Sequence, residues 1–182
     1  MRIHSIEEYQ EHFYRSVHDP EKFWARVADN FLWKKKWDQV LNWNFSEPDV
    51  KWFIGGKLNI TENCLDRHLK DKGEQRALIW EPNDPGGQIR TFTYSELHKE
   101  VCRLANVLKK NGVKKGDRVC IYMPMVPELT FAVLACARIG AIHSVVFGGF
   151  SFSSLADRIH DAECSVVLTA DGAFRGAKEI SL

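Results

Sequence analysis

No two of the five cysteines, Cys64, Cys102, Cys120, Cys136 and Cys164, stand in a CxxC pair. A structural zinc site or a redox dithiol uses that spacing, so neither is expected. Most of these cysteines lie in apolar stretches and read as small buried hydrophobes of a reducing compartment. The GxGxxG dinucleotide fingerprint and the GxxxxGK[ST] phosphate loop are both missing. No Ser/His/Asp order or carboxylate pair stands out as catalytic. His68 is near Asp66, but no nucleophile accompanies them, and no ligand cluster for a metal is evident. The longest apolar run, Phe131 to Ala137, is far too short to span a bilayer. The start, Met1-Arg2-Ile3-His4-Ser5-Ile6-Glu7-Glu8, lacks the apolar core of a signal peptide. With 25 Lys+Arg against 24 Asp+Glu the formal charge is +1. That removes the usual warrant for a nucleic-acid or polyanion binder, though not for a local basic site. A soluble, cytoplasmic protein is expected, without internal repeats or low-complexity tracts.

What is present divides in two. At 182 residues the chain can bury a real core, as one domain or two small ones. Residues 1–75 hold five of the six tryptophans. Residues 5–14 read as an amphipathic helix, and Asp19-Pro20-Glu21 starts another with proline in its first turn. Periodicity then fades through residue 60, and an irregular, tryptophan-anchored layer is expected. Lys34-Lys35-Lys36 beside Trp33 and Trp37 reads as a solvated run next to core anchors, not a membrane or nucleic-acid contact. Asn63 to Leu69 reads as a helix.

Residues 76–182 carry a regular pattern. Ala77–Trp80 and Ile89–Tyr94 predict a hairpin around the turn-rich Glu81–Gln88. Thr93 and Glu96 form a capping-box pair ahead of a helix with Leu97, Val101, Leu104, Ala105 and Leu108 on one face. Strands follow at 118–123, 143–147 and 164–169, alternating with helices at 128–139 and 153–161 and with another helix beginning near Ala173. This order predicts an α/β fold: a partial, mostly parallel sheet with flanking helices. Strands nearly free of charge suggest burial on both faces. The sheet keeps an open edge and the sequence stops at Leu182 with no closing strand. The expectation is a piece of a longer protein whose remainder covers that edge.

Two segments are candidates for ligand contact. Phe147-Gly148-Gly149 leaves the carboxyl end of a strand just before a helix. Bare backbone there lets a ligand approach, and open α/β sheets bind ligands at that end. On spacing alone, a tight turn without a ligand is the simpler account. Arg175-Gly176-Ala177-Lys178 places two cations three residues apart, which on a helix share a face. A phosphate between them and a helix start would suit both, while a plain solvated face is again the simpler account.

Longer motifs carry a resemblance. Asn63–Leu69, Thr93-Tyr94-Ser95-Glu96-Leu97, Ile121–Glu128 and Leu134 through Ser151 together resemble the N-terminal part of the acetyl-coenzyme A synthetases, the AMP-forming acetate–CoA ligases of the adenylate-forming superfamily. Phe23-Trp24 and Lys51-Trp52 are similar to the N-terminal extension of that family. The resemblance implies the start of a large N-terminal ligase domain behind a helical extension. It implies ATP, acetate and coenzyme A as substrates, with Mg²⁺ assisting: acetate attacks ATP to give acetyl-adenylate and diphosphate, and the coenzyme A thiol then displaces AMP.

The family's ATP loop, adenine and magnesium motif, ribose-binding aspartate, acetate-pocket tryptophan and C-terminal catalytic lysine have no counterpart in this sequence. No catalytic or metal-binding residue is therefore assigned, and the isolated chain is expected to lack ligase activity. The resemblance does imply part of the coenzyme A site: Phe147, Gly148 and Gly149 along the nucleotide and pantetheine, and Arg175, Gly176, Ala177 and Lys178 at the nucleotide phosphate. The family segment is Arg-x-Gly-Arg-like, whereas here the glycine falls one place earlier and Lys178 stands for the second arginine. Lysine keeps the charge but loses the planar fork. The alternatives are a propionate-preferring ligase, a stand-alone coenzyme A-binding module, and a structural piece whose sheet edge pairs with another chain.

Overall fold

The computed structural model describes residues 2–176 and 178–182, and the chain divides into two compact units, Met1–Asn59 and Ile60–Leu182. In the first unit, α1 (Ile6–His18) is capped by Ser5, whose hydroxyl accepts from the Glu8 N–H at 3.1 Å. Helix α2 (Pro20–Ala28) has its proline at the first helical position, where the missing N–H costs no bond. The segment expected to be irregular holds an antiparallel hairpin, β1 (Gln39–Asn44) and β2 (Asp49–Ile54). Alternation is confined to four residues in each strand, Leu41–Asn44 and Asp49–Trp52, the shortest run that signals a strand. The tryptophans do anchor this unit. Trp33, Trp37 and Phe53 meet with ring centroids 5.0–5.5 Å apart, and Trp52 meets Trp24 edge-on at 6.2 Å. Lys35 pairs with Asp38 and Lys36 with Asp29, so this part of the lysine run is locally balanced.

The second unit begins at Ile60, earlier in the chain than the change of sequence pattern at Arg76. The expected helix over 63–69 is instead α3 (Ile60–Cys64), a 3-10 turn (Asp66–His68) and α4 (Leu69–Lys72). Antiparallel β3 (Arg76–Trp80) and β4 (Arg90–Thr93) form the expected hairpin. Helix α5 (Tyr94–Lys110) opens with the full capping box: the Glu96 N–H donates to Thr93 Oγ1, and the Thr93 N–H to the Glu96 carboxylate.

Strands β5 (Arg118–Met123), β6 (Ile142–Phe147) and β7 (Val166–Thr169) then form a parallel sheet in the order β6-β5-β7. Helix α6 (Pro127–Ile139) joins β5 to β6, and α7 (Phe152–Asp161) joins β6 to β7. Alternation along β5 sorts its side chains onto two faces. Val119 and Ile121 pack with Leu97, Val101, Ala105 and Leu108 of α5 and with Phe131, Ala132 and Ala135 of α6. Cys120 and Tyr122 pack with Val146 and with Leu155 and Ile159 of α7. Truncating a side chain buried like Leu108 to alanine would cost about 2–5 kcal/mol.

Only β5 meets the expectation of strands buried on both faces. Val145 and Phe147 of β6 and Val167 of β7 are exposed, as is His143. Neither edge of this sheet carries a further strand among the described residues.

The last expected helix is also corrected. Residues near Ala173 form an antiparallel hairpin, β8 (Gly172–Arg175) and β9 (Lys178–Ser181). Gly176 has φ of 59°, left-handed backbone that ends a strand in a turn and has no place inside a right-handed helix.

Candidate functional site

The candidate site lies at the carboxyl ends of β5, β6 and β7. Register pairs Met123 with Phe147 across β5 and β6, and Tyr122 with Thr169 across β5 and β7. The connections from β5 and β6 run through helices packed on opposite faces of the sheet, the arrangement that opens a crevice at the strand ends.

Phe147 to Phe150 form a closed turn, with the Phe150 N–H donating to the Phe147 carbonyl at 3.0 Å. The phenol of Tyr122 donates to the Phe150 carbonyl at 3.1 Å. Ser151 caps α7, accepting from the Ser154 N–H at 3.3 Å. The two rings of the turn meet edge-on, with centroids 6.2 Å apart, and the Phe147 side chain is 65% exposed. Gly148 does not have positive φ. A Cβ built on it would lie 3.5 Å from Leu182 Cδ2 and 3.6 Å from the Met123 carbonyl oxygen, both ordinary contacts. The fold itself therefore does not require glycine at this position.

The cationic segment sits at the tip of the β8–β9 hairpin. Arg175 and Lys178 are register partners across the strands, so they face each other as backbone positions and not along a helix. Lys178 is exposed. The side chain of Arg175, and Ala177 altogether, lie outside the described residues. The Asn83 side-chain amide donates to the Gly176 carbonyl at 3.0 Å, tying the Pro/Gly-rich 81–89 loop to the tip. At the base, the Leu182 N–H donates to the Asp171 carbonyl at 3.4 Å. Leu182 is also the side chain nearest to Gly148, so the structure brings the hairpin base, not its tip, against the glycine turn.

Among the described residues, no group of three or more His, Cys, Asp or Glu side chains could hold a metal ion. The Arg138 guanidinium bonded to Asp66 holds that carboxyl below its usual range. Burial pushes the Cys136 thiol up to about 11 and raises Cys120 and Cys164. Burial, helped by the charges of Lys72 and Arg67, lowers His68.

Tyr122, Asn83 and Arg158 were not singled out from sequence. Tyr122 left one readable trace: a hydroxyl in a buried, mostly apolar strand must find a partner.

The family model for AMP-binding enzymes matches residues 65–181. The chain belongs to that family. A second model, for the N-terminus of acetyl-coenzyme A synthetase, matches residues 9–64. An acetyl-coenzyme A synthetase of Bdellovibrio bacteriovorus is 55% identical over 96% of this chain, and one of Alkalilimnicola ehrlichii is 54% identical over the same share. The chain spans 27% of the length of each. The acetoacetyl-CoA synthetase of Streptomyces lividans superposes with a TM-score of 0.84 at 30% identity, covering 92% of this chain and 26% of that one. The resemblance to the N-terminal part of acetyl-coenzyme A synthetases thus holds along nearly the whole chain. The parallel sheet with flanking helices is shared with that synthetase.

Proposed function

We propose that this chain supplies the coenzyme A-facing start of an AMP-forming acetate–CoA ligase. In the complete reaction, acetate and ATP give acetyl-adenylate and diphosphate, and coenzyme A and acetyl-adenylate then give acetyl-CoA and AMP. The observation that carries this reading is the 55% identity to an acetyl-coenzyme A synthetase, sustained over 96% of the chain.

In this reading the Phe147–Phe150 turn presents bare glycine backbone and an exposed ring to the coenzyme. Its N–H groups can donate to carbonyl or phosphate oxygens, and the absence of Cβ atoms lets the ligand lie close. A glycine that the fold does not need at position 148 supports an outside demand for that space. Arg175, Gly176, Ala177 and Lys178 form the phosphate-facing tip. Lys178 acts there as a point charge and not as a bidentate fork. Arg175 and Lys178 are backbone register partners across this hairpin, in place of the helical spacing expected from sequence.

ATP activation is assigned to no residue of this chain. Mg²⁺ would serve the adenylation step, and the described residues offer it no cage of three or more His, Cys, Asp or Glu side chains. Five free thiols support a reducing, cytoplasmic setting. No helix among the described residues is long and apolar enough to cross a membrane.

Two assays on the chain test the proposal. Acetate-dependent release of diphosphate from ATP is expected to be absent from the chain alone. Coenzyme A is expected to bind saturably. Adenylate formation by the chain alone would overturn the division of labour, and absence of coenzyme A binding would overturn the site.

A further inference from the structure

Phe150 is held at three points. Its N–H closes the turn on Phe147, its carbonyl accepts from Tyr122, and its ring lies 4.4 Å from the guanidinium carbon of Arg158. Arg158 is itself fixed within α7: its Nη1 donates to the Ser154 carbonyl at 2.9 Å and to the Ser154 hydroxyl at 2.7 Å. Tyr122 is only 7% exposed and sits between Val146 of β6 and Thr169 of β7. It therefore projects its hydroxyl from the most constrained strand of the sheet.

A buried tyrosine needs a partner, and any nearby carbonyl would satisfy it. This one does not bond to a carbonyl of the ladder. It bonds to the residue immediately after two glycines, the least restrained stretch of the backbone. Without a fixed far end, Gly148 and Gly149 sample many conformations, and a ligand would have to order them on binding.

We infer that Tyr122 and Arg158 are positioning residues that hold the Phe147–Phe150 turn in its ligand-ready form. Tyr122 acts from the sheet through the Phe150 carbonyl, and Arg158 acts from α7 through the Phe150 ring. The inference rests on the coenzyme A reading of the turn for its ligand, while its structural part stands on the contacts themselves.

The test compares Tyr122→Phe and Arg158→Gln with the unmodified chain. Amide hydrogen exchange at Phe150, whose N–H closes the turn, is expected to quicken about tenfold in Tyr122→Phe, the scale of one hydrogen bond. Exchange across β5, β6 and α7 should stay near its original rate. Coenzyme A, titrated against the backbone amide spectrum, should bind about tenfold more weakly to Tyr122→Phe, in line with a lost hydrogen bond. Arg158→Gln removes the ring contact and the guanidinium's bonds to Ser154, all at an exposed residue, so it gives the same readouts if the tyrosine variant fails to fold; its expected effects are in the same direction.

Even acceleration across the sheet, or no change at Phe150, overturns the inference and leaves a merely structural hydroxyl. Unchanged coenzyme A affinity with a loosened turn also overturns it. If the unmodified chain binds no coenzyme A, the proposed function fails, and exchange alone then decides whether the two residues set the turn.

Discussion

Arg138, in the last turn of α6, grips Asp66 of the 3-10 turn with two hydrogen bonds of 2.8 Å each. The same guanidinium donates to His98 Nε2 of α5 at 3.2 Å, so one side chain ties three elements together. This is why the segment after Ile60 packs with the second unit. Thr61, whose hydroxyl donates to the Leu134 carbonyl at 3.1 Å, adds a second tie to α6. Asp66→Asn is expected to destabilise the second unit by about 1–2 kcal/mol, less than a fully buried ion pair because both groups keep some water contact. Chemical denaturation of the two forms measures it.

The same pair sets a pH dependence. The folded carboxyl of Asp66 titrates below its ordinary 3.8, chiefly because Arg138 bonds to it. Its stabilisation is therefore fully present above that value and is lost as pH falls below it, through the folded pKa. Denaturation midpoints between pH 6 and pH 2 should show a steeper acid loss in the unmodified chain than in Asp66→Asn. Parallel curves would contradict the pairing.

The thiols should react in an order set by burial. Cys64 is exposed, Cys102 and Cys164 are half-buried, and Cys120 and Cys136 are buried. An aromatic disulfide reagent under native conditions should modify Cys64 first. Cys136, whose thiol is pushed up to about 11, should react only as fast as the second unit opens. Mass spectrometry of timed samples reads the order, and early modification of Cys136 would contradict the core as described.

Gly148→Ala separates the needs of the fold from those of a ligand. The added methyl meets only ordinary contacts, so unfolding free energy should change by no more than a surface substitution does, about 0.5 kcal/mol. Coenzyme A binding should weaken clearly. A large loss of stability would place the reason for glycine inside the protein.

Arg175→Ala should weaken coenzyme A binding by about 1.5–3 kcal/mol, the value of a charge-assisted phosphate contact. A coenzyme analogue lacking the nucleotide phosphate should bind both forms alike. Equal losses for the two ligands would move the cation away from the phosphate.

Most of the second unit was legible because its signals are local. Thr93 and Glu96 announce a cap, Pro127 and Gly140 bracket α6, and the uncharged run Val119–Met123 announces a buried strand. The β1–β2 hairpin was hidden because its alternation covers only Leu41–Asn44 and Asp49–Trp52, with adjacent apolar Val40 and Leu41 breaking the pattern. The β8–β9 hairpin was misread because Arg175 and Lys178 fit a helical spacing, while the left-handed conformation of Gly176 becomes visible only in three dimensions. The glycine turn was legible as a turn, but its three-point hold on Phe150 was not. Tyr122 and Phe150 are brought together by the fold of β5 against α7, and nothing local to either residue signals it.

Titrating coenzyme A into the isotopically labelled chain and following each backbone amide tests the proposed site most directly. Saturable shifts confined to Gly148, Gly149, Phe150 and the Gly176 tip, reduced in Arg175→Ala, are expected. A spectrum that coenzyme A leaves unmoved, or shifts centred on the first unit, would contradict it.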